Sequence, residues 1–232
     1  MSIADNVARV RERIAAACAR AGRSPNNIRL MAVSKTHPAS AIREAFAAGV
    51  TLFGENRVQE FAEKHAEIAD IGAEFHLIGH LQSNKAAKAA ELFNAVDSLD
   101  SLKLAERLNS ASEKLGKTLA ILLEVNVGGE EAKSGFAPDS DELRALLTKA
   151  TELRHLQVHG LMTIPPHTED PNGARPYFQT LRALRDRMAK GFPQLKLSEL
   201  SMGMSHDYEV AIEEGSTCVR VGTAIFGERP PR

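Results

Sequence analysis

Lys35 is the residue whose position in the sequence most clearly suggests chemistry. It follows a largely apolar run at residues 28–33, which is typical of a buried strand, and it stands between the hydroxyl residues Ser34 and Thr36. An amine at the end of a buried strand is partly desolvated, and desolvation favours its neutral form. A neutral amine is the nucleophile that forms a Schiff base with an aldehyde. The simpler alternative is a lysine that extends into solvent beside the strand.

A group of small and hydroxyl-bearing residues near the other end of the chain could bind a phosphate. Glycine lets backbone N–H groups approach phosphate oxygens, and hydroxyl groups add donors. The charge of Asp207 would repel a phosphate next to Ser205, so we place the phosphate nearer to Ser201, Gly222 and Thr223. The alternative is turn chemistry with Ser205 as a helix cap. The candidates are Ser201, Gly203, Ser205, Gly222 and Thr223.

Arg220 stands inside a short apolar strand, between Val219 and Val221. Because side chains alternate along a strand, Arg220 faces away from both valines, toward the inside of the protein. A buried guanidinium needs an acceptor. That acceptor is either a buried carboxylate, in an ion pair, or a ligand with a ring nitrogen or a phosphate.

His76 and His80 do not predict a metal site, although both could ligate one. They are placed on a strand and in its following loop, without an HExxH motif and without a cysteine beside them. The two cysteines, Cys18 and Cys218, each lie in an apolar pattern, so we expect buried, reduced thiols.

The elements that position these residues alternate regularly along the chain. An amphipathic helix with Ile3, Val7, Val10 and Ile14 on one face comes first. Seven further helices are predicted at 39–48, 55–68, 83–92, 101–115, 140–153, 174–190 and 207–213, with Glu55 in the first turn of the second of them. Between them lie eight apolar runs, predicted as strands at 28–33, 50–53, 75–78, 95–96, 119–127, 156–163, 197–201 and 218–221.

This alternation predicts an α/β fold, a single (β/α)8 TIM-type barrel with an extra N-terminal helix. The structural alternative is a doubly wound open sheet. In a barrel of this type the residues after each strand share one face, which brings Lys35, Arg220 and the phosphate candidates together. No linker or charge block divides the chain, so residues 1–232 are expected to form one domain.

Composition excludes several classes of protein. Apolar residues make up 43% and charged residues 25% of the chain, and the formal net charge is −1, so nothing favours nucleic acid or a membrane surface as partner. The N-terminus lacks the apolar segment of a secretory signal, and no apolar run is long enough to span a bilayer. We therefore expect a cytoplasmic protein.

Together the motifs resemble those of the pyridoxal phosphate homeostasis protein family, also described as proline synthase co-transcribed homologues. That family shares the barrel of the N-terminal domain of alanine racemase. The resemblance runs from about residue 5 to residue 228. It is carried by Ala32-Val33-Ser34-Lys35-Thr36, Phe53-Gly54-Glu55-Asn56, the segment 76–85, Lys133-Ser134-Gly135-Phe136, Gly160-Leu161-Met162, the segment 201–205 with Asp207, and the segment 219–227.

The resemblance implies pyridoxal 5'-phosphate as the cofactor, held as a Schiff base on Lys35. It implies that Ser201, Gly222 and Thr223 hold the phosphate and that Arg220 faces the pyridine nitrogen. It also implies that Asn56, His76 and Met204 line the pocket or support it.

A carrier fits this sequence better than an enzyme. Reaction on an amino acid needs an acid or base beside the cofactor. Alanine racemase-like enzymes place a tyrosine from a second domain opposite the lysine, whereas this chain ends after its last strand and its two tyrosines, Tyr177 and Tyr208, lie on outer helices. An arginine at the pyridine nitrogen would keep that nitrogen unprotonated and weaken the cofactor as an electron acceptor.

We therefore expect a protein that holds the cofactor reversibly and delivers it to apo-forms of pyridoxal phosphate enzymes, and the resemblance implies a monomer. Two alternatives stay open. One is a weakly active single-domain racemase or lyase that depends on the same cofactor. The other is a barrel that binds a different phosphate ligand without a Schiff base.

Overall fold

The computed structural model describes residues 1–130 and 133–228. These residues form eight parallel strands, each paired with the next along the chain. The first strand also pairs with the last, so the sheet closes into a barrel. The strands are β1 (Arg29–Val33), β2 (Leu52–Glu55), β3 (Glu74–Leu77), β4 (Ala95–Leu99), β5 (Leu119–Glu124), β6 (Leu156–Met162), β7 (Glu199–Met204) and β8 (Cys218–Val221).

Helices follow the strands and cover the outside of the barrel. They are α1 (Ile3–Arg20), α2 (Ala39–Ala47), α3 (Val58–His65), α4 (Ala86–Leu92), α5 (Leu102–Lys114), α6 (Asp141–Lys149), α7 (Arg175–Gly191), α8 (Tyr208–Glu213) and α9 (Thr223–Phe226). The predicted TIM-type barrel with an extra N-terminal helix is confirmed, and the open sheet is excluded by the β1–β8 pairing.

The core has two layers, as expected for strands that are buried on both faces. A small cluster of Met31, Val33, Leu52, Ile78 and Cys218 fills part of the barrel interior. The larger cluster lies between the strands and the surrounding helices, where bulky residues such as Phe53, Phe61 and Phe178 are completely buried. The interior therefore keeps room for polar side chains at both ends of the barrel.

Helix α1 precedes the barrel and packs beside its last units. Its first turn is closed by a capping box, in which the Ser2 hydroxyl accepts from the backbone N–H of Asp5 and the Asp5 carboxylate accepts from that of Ser2. Asn6 donates to the carbonyl oxygen of Ile225 at 2.8 Å, which fixes α9 after β8. The extra helix thus supports the part of the barrel where the phosphate candidates lie.

The main differences from the predicted elements lie at strand ends. Glu55 is the last residue of β2 and fully buried, where we predicted the first turn of a helix. Strand β7 continues to Met204 through a register shift between Ser201 and Met204, whereas the prediction ended at residue 201. The short helix α9 was not predicted. The first two differences change which residues lie at the carboxyl ends of the strands.

Candidate functional site

A cavity of about 380 Å³ lies at the end of the barrel where the carboxyl ends of the strands meet. This is the face on which barrels of this type carry their sites. Six of the eight residues predicted for the site line this cavity, and they come from four different units of the barrel: Lys35, Asn56, Met204, Arg220, Gly222 and Thr223.

Lys35 reaches the cavity from a tight turn directly after β1. Its side chain is partly buried beside Val33, the last residue of the strand. Because β1 pairs with β8 on one side and β2 on the other, Lys35 lies between the strand that carries Arg220 and the strand that leads to Asn56. The closure of the barrel thus brings Lys35, near the start of the chain, next to the strand of Arg220, near its end.

The Arg220 guanidinium lies on β8 and is 3% exposed. It donates to the carbonyl oxygen of Ser201 at 2.6 Å, to the Ser201 hydroxyl at 2.8 Å and to the carbonyl oxygen of Thr163 at 2.7 Å. Burial lowers the pKa of this guanidinium below its ordinary value, while Cys218 and the carboxyl groups of Asp97, Asp207 and Glu124 act in the opposite sense. All three acceptors are neutral oxygens, so the hydrogen bonds of Arg220 within the described residues are not those of a buried ion pair.

Ser201 does not line the cavity, although the sequence placed it among the phosphate ligands. It is completely buried on β7, and both of its oxygens accept from Arg220. The reason is the register shift in β7, which carries the strand three residues further before the chain reaches the cavity. Ser201 therefore orients the arginine.

Ser205, which we placed further from the phosphate than Ser201, is the serine of this pair that lies at the cavity. Its hydroxyl lines the cavity and accepts from the backbone N–H groups of Gly222 and Ala224, at 3.2 and 3.4 Å. We set Ser205 aside because of the charge of Asp207, but the Asp207 carboxylate accepts from the N–H of Met204 at 2.6 Å and is 6% exposed. Thr223, the first residue of α9, also lines the cavity.

Asn56 lines the cavity directly after β2, and a close backbone contact fixes its position. A Cβ atom at Gly79 would lie 2.3 Å from the carbonyl oxygen of Asn56, so only glycine allows this approach. Met204, the last residue of β7, contributes to the opposite side of the cavity.

His76 does not line the cavity, whereas the resemblance implied that it lines the pocket or supports it. It borders a separate polar cavity of about 230 Å³, together with Arg29 and other residues from the amino ends of the strands. Its ring nitrogens lie 3.0 Å from Asp97 Oδ1 and 2.7 Å from Glu74 Oε1. Burial alone would lower the pKa of His76, but the two carboxylates outweigh it and raise this pKa to about 9.

Two titratable side chains in the cavity were missed by the sequence prediction. Glu124 ends β5, the strand opposite β1 in an eight-stranded barrel, so it faces Lys35 across the cavity. Burial raises the pKa of Glu124, and its Oε2 accepts from the Ser134 hydroxyl at 3.2 Å. His80 lines the cavity edge and contacts Asp100 Oδ2 at 3.0 Å. The prediction ran the strand on to residue 127, which hid Glu124 as a strand-end residue.

Other expectations concern groups outside the cavity. Cys18 and Cys218 are both buried and free, and burial raises the pKa of the Cys218 thiol to about 12. Across residues 1–130 and 133–228, no cluster of histidine, cysteine and acidic residues is suited to a metal ion. The helices in the same two ranges include none with the length and apolar character needed to cross a membrane.

The chain is similar to known proteins over nearly its whole length. Residues 4–230 match the family model described as alanine racemase, N-terminal domain. A pyridoxal phosphate homeostasis protein from Aquifex aeolicus is 46% identical over 229 residues, which are 99% of each chain. Another with the same name from Pseudomonas aeruginosa is 46% identical over 228 residues, 98% of this chain and 96% of that one.

The chain is also similar to proteins of known structure. PipY of Synechococcus elongatus, solved with PLP bound, is 42% identical and superposes with a TM-score of 0.86, over 97% of this chain and 100% of that one. The alanine racemase of Streptomyces coelicolor is 20% identical with a TM-score of 0.70, over 96% of this chain but 59% of that one. The second likeness concerns the barrel fold alone.

Proposed function

Because this chain belongs to the pyridoxal phosphate homeostasis protein family, we propose that it holds pyridoxal 5'-phosphate as a reversible Schiff base on Lys35 and buffers or delivers that cofactor. The observation that carries the proposal is the shared cavity. Lys35, the buried Arg220, the hydroxyl residues Ser205 and Thr223, and Gly222 all line its 380 Å³. An amine, a ring-nitrogen donor and an anion site are the three groups that this cofactor requires.

The phosphate fits the donors between β7 and α9. The N–H groups of Gly222 and Ala224 already converge on one oxygen, the hydroxyl of Ser205. A phosphate oxygen beside that hydroxyl could accept a hydrogen bond from it and share the two N–H donors, and Thr223 lines the same cavity. Gly222 lies against Val33, the last residue of β1, because a Cβ there would come 3.4 Å from the Val33 carbonyl oxygen, and this places the anion site next to the strand that leads to Lys35.

Arg220 fits the ring nitrogen. Its guanidinium is held by three neutral oxygens and stays charged, so it donates and does not accept a proton. A ring nitrogen facing it remains unprotonated, which weakens the cofactor as an electron acceptor. This suits storage of the aldehyde better than reaction at the Cα atom of an amino acid.

Reversibility follows from the chemistry of the linkage. When bound, the cofactor supplies an aldehyde, whose condensation with the Lys35 amine releases one water molecule. Water or a second amine reverses the linkage, and the open cavity allows either to enter. We further propose that residues 1–232 act as one domain and as a monomer, and that apo-forms of pyridoxal phosphate enzymes receive the cofactor.

One observation favours a second candidate function, a weakly active racemase or lyase. Glu124 faces Lys35 across the cavity, and burial raises its pKa, which suits a proton-transfer group. Tyr177 and Tyr208 do not line the cavity, so a racemase-type tyrosine is not provided by this chain. Exchange of the Cα hydrogen of a panel of amino acids in deuterium oxide would detect such activity, and Glu124→Gln should abolish it.

The main proposal is tested by visible absorption of the purified protein with added pyridoxal 5'-phosphate, before and after borohydride. We expect a Schiff-base band in the wild type that borohydride removes, with the reduced cofactor found by mass spectrometry on the peptide of Lys35. Lys35→Ala should lack both, and Lys88→Met on the exposed face of α4 is a control that should retain both. Absence of the band in the wild type at excess cofactor would refute the proposal.

A further inference from the structure

A buried ion pair lies outside the cavity, against the turn that carries Lys35. Lys64 in the last turn of α3 is 10% exposed in its side chain, and Glu55 at the end of β2 is completely buried. Lys64 Nζ lies 2.8 Å from Glu55 Oε1 and 3.5 Å from Glu60 Oε1. No part of the proposed cofactor site uses these three side chains.

The same three side chains hold the turn at residues 34–37. Lys64 Nζ donates to the carbonyl oxygens of Ser34 at 3.1 Å and His37 at 3.2 Å. Glu55 Oε1 accepts from the Ser34 hydroxyl at 2.5 Å. The carboxylate of Glu60 accepts from the backbone N–H of Thr36, also at 2.5 Å.

The turn needs this support because its backbone is unusual. Thr36 has φ +66°, a region that β-branched residues rarely adopt. Such a conformation persists only where surrounding contacts hold it. Residues on both sides of Lys35 are thus fixed by hydrogen bonds, while the Lys35 side chain extends into the cavity.

The ion pair is a costly way to stabilise a fold. Desolvation of two buried charges largely offsets their attraction, and apolar residues of similar size often serve as well. Glu55 Oε2 has no hydrogen-bond partner among the described residues, so its desolvation is not fully compensated. Burial accordingly raises the pKa of Glu55, although Lys64 acts against this. Since the Lys64–Glu55 ion pair is expected to add little net stability to the fold, a role in positioning the turn at residues 34–37 explains why it is present.

We propose that Lys64 is a positioning residue, which together with Glu55 and Glu60 holds the turn at 34–37 so that the Lys35 amine meets the cofactor aldehyde. This inference rests on the proposed function, in which Lys35 forms the Schiff base. Reactions between bound groups depend steeply on their alignment, so a loosened turn weakens the covalent step. Noncovalent contacts to the phosphate and the ring come from β7 and β8 and stay in place.

The test compares two probes, pyridoxal 5'-phosphate and 4'-deoxypyridoxine 5'-phosphate, which lacks the aldehyde. In Lys64→Met we expect Schiff-base formation to slow at least about tenfold and the affinity for the aldehyde probe to fall about as much. The affinity for the deoxy probe should change less than about twofold. Lys64→Arg, which keeps the charge and the donors, should restore part of the rate.

Two further variants keep the test informative if Lys64→Met does not fold. The paired variant with Lys64→Met and Glu55→Gln leaves no uncompensated buried charge. Glu60→Ala changes a side chain that is 29% exposed; it removes the acceptor for Thr36 and the outer ion-pair contact to Lys64, and leaves the Lys64–Glu55 pair intact. Each should slow Schiff-base formation, while Lys88→Met should not.

The outcomes separate the two proposals. A wild type without a Schiff-base band refutes the proposed function itself. If the wild type has the band and every variant forms it at the wild-type rate, the role of Lys64 is refuted. Equal losses for both probes would also refute it, because they would indicate a collapsed cavity and a purely structural role.

Discussion

Arg220 donates to both oxygens of Ser201, at 2.6 Å to the carbonyl oxygen and at 2.8 Å to the hydroxyl. Both residues are buried, and they lie on the adjacent strands β8 and β7. A serine that the sequence assigned to a phosphate therefore serves to orient a guanidinium. This relationship and the position of Ser205 yield a pair of opposite predictions for two serines that are four residues apart.

Ser201→Ala should lower stability more than cofactor binding. The variant removes one hydrogen bond to a charged group, while two carbonyl oxygens still hold Arg220. We expect a loss of about 1–2 kcal/mol in the free energy of unfolding, measured in urea, and a change in cofactor affinity below about threefold. A loss of affinity above tenfold with unchanged stability would instead assign Ser201 to the phosphate.

Ser205→Ala should have the reverse effect. The hydroxyl lies at the cavity, so its loss should weaken pyridoxal 5'-phosphate about tenfold, which corresponds to about 1.4 kcal/mol. Fluorescence titration measures this affinity. Pyridoxal without the phosphate is the control ligand, and its affinity should be the same in variant and wild type. If both ligands weaken equally, Ser205 does not bind the phosphate.

His76 should make stability depend on pH in the alkaline range. Its pKa is raised to about 9 from an ordinary value of 6.5, so the stabilisation is complete below pH 6.5 and is lost as the pH rises to about 9. The shift corresponds to a loss of roughly 3 kcal/mol in the free energy of unfolding. Urea unfolding between pH 6 and pH 9.5 tests this. The free energy of unfolding of the wild type should fall over this range, and that of His76→Gln should change far less.

A control and a direct readout complete the pH experiment. His80→Gln changes a histidine whose side chain is 58% exposed, so its pH profile should follow that of the wild type. Nuclear magnetic resonance of the His76 ring should show titration well above pH 7. A ring that titrates near its ordinary value would contradict the ion pairs with Asp97 and Glu74 as the cause.

Gly203→Ala should destabilise the carboxyl end of β7. A Cβ there would lie 2.5 Å from Ala211 Cβ and 2.9 Å from Tyr208 Cα, and φ is +95°. We expect a loss of about 2–3 kcal/mol in unfolding free energy from the clash with α8 and from backbone strain. Gly191→Ala is the matched control, because nothing lies within 4 Å of its added Cβ. Equal stability of the two variants would show that α8 moves away freely.

The sequence by itself determined the barrel and the position of Lys35 in it. Apolar runs alternating with amphipathic helices require a parallel sheet covered by helices, and the carboxyl ends of parallel strands share one face. Lys35, Asn56, Gly222 and Thr223 each directly follow or closely follow such a run, so their common location could be predicted without knowing any contact. The side on which Arg220 lies followed from alternation within β8.

Only the tertiary structure decided the positions of Ser201, Ser205 and His76 relative to the cavity. A register shift carries β7 past Ser201 and brings Ser205 to the cavity. His76 turns to the other end of the barrel because two carboxylates there bind both of its ring nitrogens. The periodicity of apolar residues predicts which side chains of a single strand face the interior. Bulges and buried charge pairs depend in addition on the side chains and backbone groups of the neighbouring strands. The sequence contains no pattern that links Glu55 with Lys64. Their proposed role in positioning Lys35 follows from the packing of α3 against the turn at residues 34–37.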